Sequence, residues 1–169
     1  MRTIIIIFLA AFSMTAYAQK STVEKFIRKQ AKTEGIKVQD IDIKSGDFTT
    51  QFQVEGEDIE EAMEQLEVIK ILSSDSTSTA EKRLDFIIKA QNALQDEAYI
   101  ELARIKSEEM EDVSLHANQM DNGLIREMIV LVKDDESVLM LYVKGKMDMT
   151  NLFSGKLFTS MVKSHKGKD

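Results

Sequence analysis

The chain has 169 residues, 29 acidic against 22 basic side chains, a net charge of −7, and no cysteine, proline or tryptophan. Without cysteine there are no disulfides, thiol nucleophiles, iron–sulfur clusters or Cys-ligated zinc. The acidic balance disfavours nucleic acid, whose phosphates require clustered Lys and Arg. The seven glycines form neither a G-x-G-x-x-G nor a P-loop, so no nucleotide cofactor is expected.

In chain order, Arg2 precedes an apolar run from Ile4 to Phe12, and Ala16-Tyr17-Ala18 follows. A charged start, an apolar run too short to span a bilayer and small residues at −3 and −1 predict a cleaved signal peptide over residues 1–18. Cleavage between Ala18 and Gln19 sends the protein to the periplasm or beyond. Loss of Arg2 makes the net charge one unit more negative. No cysteine follows the cleavage point, so no lipid anchor is expected, nor is a transmembrane helix in the mature chain. Residues 19–162 are expected to form one domain, and 163–169 a flexible basic tail.

Ser21-Thr22-Val23-Glu24 fits a capping box, and Val23, Phe26, Ile27, Gln30 and Ala31 continue at helical spacing toward Gly35. Ile36 to Ile43 reads as a strand, and Lys44 to Gly56 is ambiguous. Ile59, Met63 and Leu66 predict a short amphipathic helix over Asp58 to Leu66, followed by a buried strand over Val68 to Leu72. A Ser/Thr-rich connection leads to a second capping box at Ser78 and Glu81. It opens a helix with Leu84, Ile87, Ile88, Gln91 and Leu94 along one face.

Four strand-like runs follow: Tyr99 to Ile105, Val113 to Met120, Leu124 to Lys133 and Val138 to Met147. Asp121-Asn122-Gly123 predicts a type I′ hairpin turn. Asp148 then caps a final helix carrying Met149, Leu152, Phe153, Leu157, Phe158 and Met161. Strands and helices do not alternate throughout. The expectation is therefore an α+β domain, with a four-stranded antiparallel meander in the C-terminal half and additional strands and helices packed on the sheet. In Leu124–Val132 both alternating sets are apolar, with Leu124, Met128, Val130 and Val132 on one side and Ile125, Ile129 and Leu131 on the other. Such a strand is covered on both faces, by helices on one and by the remaining elements, a partner chain or a ligand on the other.

Met128 to Leu152, with Val68-Ile69-Lys70-Ile71-Leu72 and the step Gly145-Lys146-Met147-Asp148, resembles an exported Bacteroidota family, the domain of unknown function numbered 4252. The resemblance implies a signal peptide, an early helix, a central short strand, a closing hairpin and a last helix. It brings no activity, cofactor or catalytic residue. The frequent proximity of family genes to extracytoplasmic sigma-factor systems implies a link to envelope regulation or stress. Some relatives carry a lipidation cysteine after the signal, and this chain does not.

Chemistry-bearing constellations are sparse. His165 lies in the tail, and His116 lies opposite Val113, Leu115 and Ala117 with no second His at metal-ligand spacing. Ser160-Met161-Val162-Lys163 matches Ser-x-x-Lys but sits next to the tail. Seven carboxylates from Glu55 to Glu67 read as a solvated helix face, and Asp40 and Asp42 share one side of a strand without an acid/base partner. No metal or cofactor is expected.

The expected function is non-catalytic protein interaction at the cell envelope, with an envelope protein or a homo-oligomer as partner. The expected contact surface is Met128, Val130, Met140 and Tyr142 on the sheet, with Met149, Leu152, Phe153, Leu157 and Phe158 on the last helix. One alternative is a carrier of a small apolar ligand held between sheet and helices. The other is a hydrolase using His116 and a nearby carboxylate.

Overall fold

The cap read at Ser21 is made: its hydroxyl accepts the Glu24 amide at 3.0 Å and opens α1 (Thr22–Gln30). In the computed structural model the described residues are 21–43, 64–95, 99–106 and 112–148. They comprise α1, β1 (Ile36–Ile41), β2 (Leu66–Ser74), α2 (Ala80–Gln95), β3 (Ile100–Ile105), β4 (Asp112–Gln119), β5 (Ile125–Lys133) and β6 (Val138–Met147). The segments read from sequence as a signal peptide, an ambiguous stretch from Lys44, an acidic stretch to Met63, a final helix and a tail lie outside the described residues.

The fold is α+β, and its sheet has six strands rather than four, in the order β1-β2-β6-β5-β4-β3. The meander β3-β4-β5-β6 is present, and β2 and then β1 continue the sheet beyond β6. Every neighbouring pair is antiparallel. Leu66, expected to end a helix, instead begins β2 opposite Gly145, with a bulge before Val68. Gly145 is needed there, because a Cβ would stand 2.2 Å from the Gln65 carbonyl oxygen. The glycine step that pointed to the family thus runs inside β6, with Met147 as that strand's last residue.

Side chains alternate between the two faces, so the register assigns each residue a side. One face carries Leu72, Ile129, Leu131, Val138, Met140 and Tyr142. Both helices pack on it through Val23, Phe26, Ile27, Phe86, Ile87, Ala90 and Leu94. The rings of Phe26 and Phe86 meet at 5.4 Å and tie α1 to α2. On α2 the buried stripe is Phe86, Ile87, Ala90, Ala93 and Leu94. Leu84 and Ile88, expected on that stripe, face outward.

The second face carries Ile41, Ile69, Leu115, Ala117, Met128, Val130, Leu141 and Val143, all buried, and its cluster includes no described helix residue. Reading β5 as closed on both sides is therefore correct, with one change. The pairing skips Arg126, because Ile125 stands opposite Gln119 while Glu127 stands opposite Asn118. This bulge turns Ile125 to the second face with Met128 and leaves Glu127 on the helix face. The hairpin before β5 is also altered. Gly123 alone has φ +82, its amide donates to Met120 O at 3.0 Å, and Met120 N donates to Leu124 O at 2.7 Å. That is a three-residue loop closed by a left-handed glycine, not a two-residue type I′ turn.

Candidate functional site

The helix face turns polar at two places. Where α1 begins, Glu127 on β5 is buried, although it is the one acidic side chain in Ile125–Val132. A buried carboxyl group requires donors. Tyr142, its neighbour on β6, donates to Oε1 at 2.9 Å, and Tyr99 donates to Oε2. Glu24 Oε1 lies 3.4 Å beyond the Tyr142 hydroxyl and accepts from Lys144 Nζ at 2.8 Å. Lys144 is also the direct cross-strand partner of Glu127.

Burial, then the Glu127 and Glu24 carboxylates, push the Tyr142 phenol far above its ordinary value, so it stays protonated and donates to Glu127. Burial alone would raise Glu24, but the hydrogen bond and charge of Lys144, with Tyr142 and Arg28, outweigh it and hold the carboxyl below its usual range. Lys144 is raised, first by its hydrogen bond to Glu24. The network fastens α1 to the middle of the sheet, and at 1% exposure Tyr142 offers a ligand no approach.

The second polar place lies on β4 and β3. His116 Nε2 is 3.1 Å from Ser114 Oγ and 4.0 Å from Glu101 Oε2. Arg104 spans Glu101 at 2.8 Å and Asp112 at 3.3 Å. Burial pushes the imidazole below its usual value, with Glu101 opposing and Arg104 reinforcing. A nucleophile–base relay requires hydroxyl and carboxylate on opposite ring nitrogens. Here one nitrogen faces both, and Ser114 is buried. The arrangement orients a strand histidine and does not activate a serine.

Beyond this cluster β3 ends the described sheet. Five of its six residues are exposed, Ile100 at 45% and Ile105 at 54%, while Leu102 is partly buried. Among the described residues no three His, Asp or Glu side chains converge to hold a metal, and no helix is long and apolar enough to cross a membrane.

Residues 31–154 match the family described as Domain of unknown function (DUF4252). The chain belongs to that family. No curated protein and no solved structure matches it significantly. All six strands and α2 fall within the DUF4252 match, whereas α1, which supplies Glu24, precedes it.

The expected contact residues on the sheet are not gathered on one surface. Met128 and Val130 lie on the second face, Met140 and Tyr142 on the helix face, and all four are buried. The reason is the double-sided closure of β5 and β6, which leaves neither face open at the sheet centre. Met149, Leu152, Phe153, Leu157 and Phe158, and the cleavage residues Ala18 and Gln19, lie outside the described residues. Two features escaped sequence reasoning: the Glu127 network and the exposed β3 edge. For the first, the signal was a lone acid in an apolar strand with a tyrosine in the next one. For the second it was charge at Glu101 and Arg104 in an otherwise apolar run.

Proposed function

We propose that the protein is exported through its N-terminal segment and works at the cell envelope as a non-catalytic interaction protein. It takes an extended protein segment as an added strand along β3. The observation that supports this reading is that β3, which among the described residues pairs with β4 alone, carries two large exposed β-branched side chains, Ile100 and Ile105. The tightly filled centre, by contrast, leaves interaction to the periphery.

The test is photo-crosslinking from position 105 in the exporting host, with products identified by mass spectrometry. Cross-links to an extended protein segment are expected, and they should vanish when Ile100→Asp is introduced into the chain that carries the probe. A probe that captures no protein segment overturns the reading. The same purification yields the N-terminus, which should be Gln19.

A further inference from the structure

We infer that the segment taken by this edge is β3 of a second copy, the two strands running antiparallel about a two-fold axis perpendicular to the sheet. This rests on the edge-pairing reading above and names its partner. The sequence of β3 is Ile100-Glu101-Leu102-Ala103-Arg104-Ile105. Laid against its own reverse, it sets Ile100 opposite Ile105 and Glu101 opposite Arg104, twice each by symmetry. Apolar thus meets apolar, and acid meets base.

In a regular strand this register would fail. Residues 101 and 104 are separated by an odd number of steps and would point to opposite faces. A two-fold axis perpendicular to the sheet preserves faces, so acid and base would never meet. The bulge between Glu101 and Ala103 removes the conflict. Glu101 stands opposite His116 and Arg104 opposite Ser114, both on the helix side. Ile100 stands opposite Ala117 and Ile105 opposite Val113, both on the second face. With one residue bulged out, all four side chains lie on the faces that self-pairing requires.

The geometry is also prepared in the single chain. Glu101 and Asp112 already hold the Arg104 guanidinium on the helix side of the edge. On the other face, Ile100 ends a row that runs Ile41, Ile69, Val143, Met128, Ala117, Ile100 across the sheet. A second copy continues that row across the axis. Charges on an edge strand ordinarily repel a neighbouring strand; here their order makes the strand complementary to itself. Six residues a side is far short of the roughly 20–30 of a standard interface, so the dimer is weak, forming at about 10–100 micromolar.

Sedimentation velocity on the full exported protein, across about 1–300 micromolar, tests the inference, with circular dichroism confirming that each variant is folded. The native protein should pass from monomer to dimer. Glu101→Arg alone and Arg104→Glu alone each place like charges opposite one another and should weaken the dimer by about tenfold or more. An equimolar mixture of those two variants restores both acid–base pairs between unlike chains and should associate as the native protein does. A role confined to folding would not be rescued by mixing.

A native protein that stays monomeric throughout overturns the inference, as does a dimer indifferent to both single substitutions, or a mixture no tighter than either variant alone. If it stays monomeric while position 105 cross-links to a different protein, the edge-pairing reading stands and the second-copy inference falls.

Discussion

β5 and β3 belong to one sheet with only β4 between them, yet identical residues behave oppositely in the two. Ile129 in β5 is fully buried, whereas Ile100 and Ile105 in β3 stand half exposed. Along the row Ile41, Ile69, Val143, Met128, Ala117, Ile100, the first five members are buried, including Ile41 on the opposite end strand, and the last, Ile100 on β3, is exposed. Burial here is set by cover over the face, since Ile41 and Ile100 both lie on end strands of the described sheet and differ. A covered isoleucine contributes to stability, while one left uncovered on β3 is available to another molecule.

The sharpest way to break this comparison is to truncate the same residue type in both places. Ile129→Ala is expected to cost about 2–5 kcal/mol, the transfer loss plus an unfilled cavity. Ile105→Ala should stay within about 0.5 kcal/mol. Urea unfolding of both variants checks this, and equal losses would mean that the edge is as structural as the centre. Next in size is Tyr142→Phe, which leaves Glu127 Oε1 buried without its nearest donor. A loss of about 1–3 kcal/mol is expected, and a neutral result would show that water reaches the network.

The smallest effect concerns the tie between α1 and the sheet. The Glu24 carboxyl is lowered, so its contribution is present above the unfolded carboxylate pKa, about 4.3, and is lost as pH falls through the lower folded value. Lys144 is raised, so its contribution is present below about 10.4 and lost as pH rises through the higher folded value. Both groups are partly exposed, so the effect is modest. The difference in melting temperature between the native protein and Glu24→Gln should be steady around neutrality and shrink toward pH 3. A difference independent of pH would assign the effect to packing alone.

Local chemistry was legible wherever a short stretch decides the outcome. The Ser21 cap, the later meander, the place though not the type of the turn at Gly123, and the two-sided closure of β5 followed from spacing. What required the register did not follow. That β2 lies beside β6 depends on Leu72 meeting Met140 across a long separation, and no local pattern records it. One unpaired residue, Arg126, moves Ile125 to the other face, so strict alternation misassigned it. Glu127 became intelligible only with Tyr142 and Tyr99 placed around it. The expected contact surface failed for the same reason: Met128 and Met140 are alike in composition, but the pairing sends them to opposite sides.

The position of β6 has a consequence for how the chain comes into being. β2 has β1 on one flank, and on the other it must wait for β6, the last strand in the described sequence. Leu66 meets Gly145 only after nearly the whole polypeptide has been made. Such distant pairing closes slowly, because the loop entropy is lost before the contacts form. β2 therefore stays unpaired on that side until β6 has been made, and the six-stranded sheet closes only late in synthesis.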